Sequence, residues 1–106
     1  MNRNCDSRVA QVLKALAHPH RIRIVCLLAQ QEQCVHELEE RLNIKQSNLS
    51  QHLRILRDQG ILDCQRKGMA VCYHIRNRTV LDIIEHSQKC LSEGENRQWQ
   101  QNHIHG

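Results

Sequence analysis

The chain has 106 residues, a formal net charge of +4, no Phe, one Trp and one Tyr. This length predicts one domain with a core of Leu, Ile and Val. No apolar run reaches the roughly 18 residues that span a membrane, and residues 1–7 lack the apolar core of a signal peptide, so we expect a cytoplasmic protein that contacts no membrane. Its six cysteines should then be mostly thiols.

The positive charge is concentrated in the middle of the chain. Residues 41–78 carry eight Lys and Arg side chains against two Asp, whereas the flanking segments are neutral or acidic. Such a stretch is typical of phosphate binding, and the alternative is a solvated basic surface without a ligand. A domain this small also buries a modest share of its surface, which favours a permanent partner subunit.

Two helices are predicted before residue 31. The first begins after Asp6 or Ser7, either of which can cap it, and ends at His18. Pro19 is tolerated at a first helical position, so the second helix starts there and continues to Gln30. Its residues are apolar nearly all round, which indicates a buried central helix.

Two further helices precede Gly60, which is a good residue to end the second of them. They are Val35–Leu42, broken at Asn43, and Gln46–Gln59. At 100° per residue, the later helix has an apolar side and a side of short polar groups with a guanidinium, which suit base edges and phosphates. We therefore predict a DNA recognition helix. The apolar side consists of Leu49, Leu53 and Leu56, and the polar side of Ser47, Ser50, Gln51 and Arg54.

After Gly60 the hydrophobic period changes from helical to alternating. Ile61–Arg66 and Ala70–Arg76 are predicted as two strands of a basic hairpin around residues 67–69. A last helix begins at Thr79, and we expect residues 94–106 to form a flexible tail. The apolar stripe of this helix is a natural dimer surface, and it comprises Val80, Ile83, Ile84, Ser87, Cys90 and Leu91.

This order predicts a mainly α fold with a small β-hairpin, a winged helix-turn-helix of the order α-α-α-α-β-β-α. Residues 1–106 should form a single DNA-binding domain that dimerises through its N- and C-terminal helices. Paired carboxylates, a nucleophile elbow and a glycine-rich phosphate loop are all missing from the sequence, so we do not expect an enzyme. The alternatives are a repressor that responds to an inducer and a DNA-binding module that docks another protein without one.

Residues 8–92 resemble the ArsR/SmtB family of bacterial metal- and stress-responsive repressors. The resemblance is carried by four segments, and together they are specific. They are Leu-Ala-His-Pro-His-Arg-Ile-Arg-Ile from Leu16, Cys-Val-His-Glu-Leu from Cys34, the stretch from Ser47 to Leu62 that includes most of the recognition helix, and Tyr-His-Ile from Tyr73.

The resemblance implies a homodimer on a palindromic double-stranded operator, with repression lifted by a small inducer. The recognition helix and wing of each subunit form a reading head, and the two reading heads must then fit half-sites about 34 Å apart. For His52 a packing or capping role is an open alternative, and for Asn48 simple solvation is one. The predicted DNA-binding residues are Lys45, Gln46, Ser47, Asn48, Ser50, Gln51, His52, Arg54, Arg66 and Lys67.

The resemblance offers a thiol sensor made of Cys26 and Cys90. Both resemble the cysteine positions of the branch that senses persulfides and oxidants, although Cys90 falls about two residues early. A disulfide or polysulfide bridge would tie the last helix to the core and re-space the reading heads, with no cofactor needed. The alternative is that both cysteines are small core residues.

A second candidate sensor binds zinc or another soft metal ion through Cys34 and His36, with Cys5 as a third ligand. The family's metal box has a second cysteine where this chain has His36, which argues against arsenite. The alternative is that Cys34 fills a small-residue position and that His36 is solvated. The family's zinc site on the last helix would have its four ligands at Asn77, Thr79, Cys90 and Glu93. Only the last two of these can coordinate zinc well, so we regard this site as lost.

Cys64 and Cys72 lie on the two predicted wing strands. If Arg66 faces Ala70 across the turn, Cys64 faces Cys72 closely enough to pair. The favoured interpretation is that both simply fill space near the wing.

Overall fold

A computed structural model of the protein describes residues 3–96, which form five helices and three strands. The helices and the hairpin follow one another in the predicted order, so the winged helix-turn-helix is confirmed. The first strand was not predicted. In chain order the elements are α1 (Arg3–Leu16), α2 (Pro19–Gln30), β1 (Gln33–Cys34), α3 (Val35–Leu42), α4 (Gln46–Asp58), β2 (Leu62–Lys67), β3 (Ala70–Ile75) and α5 (Thr79–Asn96).

The sheet is antiparallel, with strand order β1-β3-β2. Its short edge strand sets Gln33 opposite Tyr73 and Cys34 opposite Cys72. The expected two-stranded hairpin is therefore extended by a third strand. Two residues are too few to show the alternation by which a strand is recognised in a sequence.

The wing hairpin has a two-residue turn, and this sets the register. Gly68 has a φ of 64° and takes the first central position of the turn, where a glycine is favoured. Lys67 therefore faces Ala70, and Cys64 faces Tyr73. The predicted register, with Arg66 opposite Ala70, is wrong by one residue. Because side chains alternate between the faces of a sheet, Cys64 and Cys72 lie on opposite faces and do not meet.

One hydrophobic core joins all five helices to the wing. As predicted, α2 lies at its centre, with Ile24 and Val25 fully buried. The apolar side of α4 packs into the same core. The buried residues of the cluster are Ala15, Leu16, Ile24, Val25, Leu27, Leu28, Leu38, Leu49, Leu53, Leu56, Ile61, Leu62, Tyr73, Ile75, Val80 and Ile84.

The recognition helix α4 has well-defined ends. Asn43, with a φ of 55°, closes α3 in the left-handed conformation and starts the turn that leads to α4. At the other end, the N–H of Gly60 donates to the carbonyl of Arg57 and that of Ile61 donates to Leu56. These two bonds satisfy carbonyls that would otherwise lack partners, and they confirm Gly60 as the residue that ends the helix.

The outer helices are longer than predicted. α1 already includes Arg3, so Asp6 lies inside its first turn and does not cap the helix from outside. There its carboxylate interacts favourably with the helix dipole. α5 continues to Asn96 through the start of the expected tail. Residues 97–106, with His103 and His105, lie outside the described residues. Within the described part, none of the helices combines the length and the apolar character needed to cross a membrane.

Candidate DNA interface and thiol sites

One side of α4 is a continuous row of exposed polar side chains. Leu49, Leu53 and Leu56 anchor the opposite side in the core. The first turn holds no acidic residue, and Lys45 at the N-cap makes no capping hydrogen bond. The N–H groups of this turn are therefore suited to a DNA phosphate. The exposed predicted residues are Gln46, Ser47, Asn48, Ser50, Gln51 and Arg54.

The predicted basic residues of the wing differ in their surroundings. Arg66 is exposed. Lys67 forms an ion pair with Glu32, with Nζ 2.6 Å from the carboxylate oxygen, and this contact raises the pKa of Lys67. Lys67 must therefore exchange this carboxylate for a phosphate if it binds the DNA backbone, whereas Arg66 need not.

His52 is half-buried, unlike the rest of the predicted reading face. Its ring centre lies 4.5 Å from that of His18 and 5.5 Å from that of His20. Its Nδ1 atom is buried without a hydrogen-bond partner. His52 thus packs α4 against the start of α2, and it lines one cavity with Asn48 and Gln51.

The three histidines also form the one group of metal-ligating side chains found among residues 3–96, with ligand atoms all within 4.8 Å of one another. However, His18 Nδ1 already accepts the backbone N–H of His20 at 3.0 Å. A neutral imidazole that accepts at Nδ1 carries its proton on Nε2, so a metal ion would have to displace this cap of α2. Arg21 lines the same cavity, and its positive charge would oppose the binding of a metal cation there. We therefore interpret the cluster as packing support for α4.

Acidification is expected to destabilise the protein through His52. Burial, followed by the charges of His18, Arg21 and His20, lowers the pKa of His52 below its ordinary value. The unfolded chain then binds the proton first as the pH falls through about 6.5, so the free energy of unfolding decreases below that pH. Urea unfolding at pH 7.5 and pH 5.0 should show a smaller loss for H52Q than for the wild type. The exposed His86 on α5 supplies the control, and an equal loss in H52Q and H86Q would contradict the prediction.

Cys34 and Cys72 are brought together by the unpredicted edge strand. Their Sγ atoms lie 2.7 Å apart, and both are free thiols. Cys72 is only 5% exposed, whereas Cys34 is half-buried at the start of α3. Sequence reasoning had instead considered Cys64 as the partner of Cys72.

The surroundings of Cys34 favour its protonated form. The hydrogen bond with Cys72, burial and the charge of Glu37 together raise the pKa of Cys34 to about 11. Glu37 is held close because its Oε1 accepts the backbone N–H of Cys34 at 2.7 Å. A helix N-terminus usually stabilises a thiolate, but here these neighbours outweigh it.

The predicted metal ligands are only partly brought together. Cys34, His36 and Glu39 line one cavity of about 240 Å³ between α3 and the wing. Cys5 lines a different groove on α1, beside Arg8 and Val9. Within a single chain the predicted three-ligand set is therefore not assembled.

Cys26 and Cys90 lie on helices that pack against each other, α2 and α5. Cys26 is half-buried against the core, and Cys90 is exposed. Cys26 follows Ile22 by one turn, and Cys90 adjoins Leu91, and both of these neighbours line one groove. Neither cysteine is itself among the residues that line this groove.

That groove is apolar and lies between α1, the start of α2 and α5. It encloses about 410 Å³. Leu13, Ile22 and Leu91 line it and remain 47%, 38% and 69% exposed. Large apolar side chains grouped in this way are typical of a protein interface.

The contacts missed by sequence reasoning were all between distant segments. They join His52 to His18 and His20, Lys67 to Glu32, and Cys34 to Cys72. The register of the wing did have a signal in the sequence, because Gly68-Met69 is suited to a two-residue turn with glycine first. Such a turn sets Lys67 opposite Ala70 and Cys64 opposite Tyr73, which excludes the pairing of Cys64 with Cys72.

Comparison with known proteins gives one consistent result. A family profile described as "Bacterial regulatory protein, arsR family" matches residues 18–63, from the start of α2 into β2. The biofilm growth-associated repressor of Agrobacterium fabrum is 43% identical over 79 residues, which cover 74% of this chain and 68% of that protein.

Solved structures agree with this comparison. The crystal structure of Rv0081 from Mycobacterium tuberculosis superposes with a TM-score of 0.81 at 32% identity and covers 92% of this chain and 98% of its own. The homodimeric winged helix-turn-helix DNA-binding domain of Mb0332 from Mycobacterium bovis has a TM-score of 0.77 at 27% identity and covers 92% of each chain.

Proposed function

Because this chain belongs to the arsR family of bacterial regulatory proteins, we propose that it binds a palindromic operator as a homodimer and represses transcription until a thiol-based signal releases it. The observation that carries the proposal is the exposed polar row on α4, held rigidly by three buried leucines. Short hydrogen-bonding groups on a rigid helix suit the major groove, where each base pair presents a distinct pattern.

Dimerisation is supported by the apolar groove between α1 and α5. Its exposed leucines, Leu13 and Leu91, would be covered by the same surface of a second subunit, as a two-fold interface requires. The similar Mb0332 domain is described as homodimeric. A single recognition helix reads few base pairs, so the spacing of two helices determines operator affinity.

For the signal we propose Cys26 and Cys90, with a polysulfide or another oxidant as the inducer. The two thiols lie on α2 and α5, which pack against each other and both line the groove proposed as the dimer interface. A bridge between them would therefore change how the two subunits are held. In the reaction the thiols lose two electrons and two protons. A polysulfide accepts them by cleavage of one S–S bond, which leaves two shorter sulfides, and a peroxide that accepts them becomes water. The exposed Cys90 would react first, and the half-buried Cys26 would close the bridge.

A metal-responsive repressor is the second candidate. It is favoured by the cavity that Cys34 shares with His36, where a thiol and an imidazole suit zinc or another soft ion. Cys5 is the proposed third ligand, and within one chain it lines a separate groove.

Operator release is the experiment that tests these proposals. An operator is first selected from random DNA with the reduced protein and is then titrated after separate treatment with polysulfide, peroxide or zinc. Polysulfide or peroxide is expected to lower the affinity by about tenfold or more, within the range of allosteric couplings. The C26S/C90S double variant should lose this response, whereas C64S, which changes a thiol of the wing, should keep it.

Two results would contradict the dithiol proposal. A polysulfide response that survives in C26S/C90S would exclude these two cysteines. Release by zinc alone, abolished in the C34S/H36Q double variant, would establish the metal-responsive alternative.

A further inference from the structure

The contact between Cys34 and Cys72 has a geometry suited to a disulfide bond. The two residues face each other directly across the ladder of β1 and β3, with their sulfur atoms 2.7 Å apart. Facing residues in antiparallel strands have Cα atoms about 4.5–5.5 Å apart, within the roughly 4.4–6.8 Å that a disulfide spans. Little backbone movement is therefore needed to join them.

We propose that Cys34 and Cys72 are a site of reversible disulfide formation that takes small-molecule disulfides as its oxidant. The site goes beyond the proposed thiol signal, because it involves neither Cys26 nor Cys90 and lies on the sheet, away from the groove between α1 and α5. It also differs from the metal-responsive alternative, since Cys34 here bonds to Cys72 and not to a metal ion.

The order of the steps follows from the exposure of the two thiols. The half-buried Cys34, as thiolate, attacks a small disulfide RSSR, which forms a mixed disulfide and releases one thiolate RS⁻. Cys72, which is buried, loses its proton to water, and its sulfur attacks Cys34 Sγ and releases the second RS⁻. The protein loses two electrons and two protons, and the small disulfide becomes two thiols.

The bond would close a loop around the reading head. Cys34 and Cys72 are separated by 38 positions, and the enclosed segment contains α3, α4 and β2. Since the sulfur atoms are already in contact, the disulfide holds this segment in its present arrangement. Oxidation here should therefore preserve operator binding, in contrast to the release proposed for Cys26 and Cys90.

The test uses a variant in which only this pair remains, with Cys5, Cys26, Cys64 and Cys90 replaced by serine. After incubation with glutathione disulfide, intact mass spectrometry should show the loss of two hydrogen atoms without an adduct, and peptide mapping should join Cys34 to Cys72. The melting temperature should rise by roughly 10 °C. Affinity for the selected operator should stay within about a factor of three, below most allosteric couplings.

The matched control keeps Cys64 and Cys72 and replaces the other four cysteines with serine. It has the same number of thiols on neighbouring strands, but on opposite faces of the sheet, so only glutathione adducts are expected. The proposal is wrong if the first variant carries adducts on Cys34 without closing, or if the control closes as readily.

A measurement on the unmodified chain covers the case in which a serine variant does not fold. Differential alkylation during oxidation should show Cys34 and Cys72 becoming protected together, and a bond from Cys34 to any other cysteine would overturn the proposal. The outcome is independent of the proposed function, whose failure would appear instead as unchanged operator release in the C26S/C90S variant.

Discussion

Replacing Leu91 with glutamate is expected to convert the proposed dimer into monomers and to lower operator affinity by about a thousandfold or more. Leu91 is 69% exposed on α5 and lines the apolar groove with Leu13 and Ile22. A carboxylate buried in an apolar interface without a partner strongly opposes association. A monomer then contacts one half-site only and loses the specific contacts of the other, so it binds with an affinity close to that for non-specific DNA.

Sedimentation equilibrium and operator titration measure the two parts of this prediction separately. K89Q is the matched control, because it changes the net charge by the same amount at an exposed position two residues away, on the opposite side of α5. It should remain dimeric and bind the operator. A dimeric L91E protein would show that this groove is not the interface. A monomer with unchanged affinity would show that operator binding does not depend on dimerisation.

Removing the polar contacts of α4 is expected to have the next largest effect. Q51A and R54A should each lower operator affinity by about 1–3 kcal/mol per reading head, roughly 30- to 20,000-fold for a dimer with two heads. Gln51 can bind adenine through two hydrogen bonds, and Arg54 can bind guanine or a phosphate. Both are exposed above buried leucines, so neither substitution should change the fold.

Titration against the operator and against single-base variants at several salt concentrations separates the roles of these residues. Q51A should relax the base preference at one position of each half-site. R54A should reduce the salt dependence of operator affinity only if Arg54 contacts a phosphate. R57A is the control, since Arg57 lies one turn along the same helix and hydrogen-bonds to Tyr73, which raises the pKa of Arg57. Equal losses in R57A and R54A would mean that only overall charge matters.

Much of the fold was predictable because the evidence for it was local. Three local signals act through neighbouring residues. They are the helical period of leucines and polar groups in α4, Pro19 at the start of α2 and Gly60 after α4. The limits of α1 and α5 were less well predicted. Capping residues such as Asp6 are also favourable inside a first turn, so they do not define where a helix begins.

The sequence by itself determined the order of the helices and the wing, the polar and apolar sides of α4 and the apolar positions on the outer helices, because helical period and charge are properties of short segments. Only the tertiary structure decided which side chains meet across the fold. The packing of His52 on His18 and the contact of Cys34 with Cys72 depend on how distant segments are aligned. A shift of one residue in the wing, or the omission of a two-residue strand, changes every such partner, and neither feature leaves a periodic pattern in the sequence.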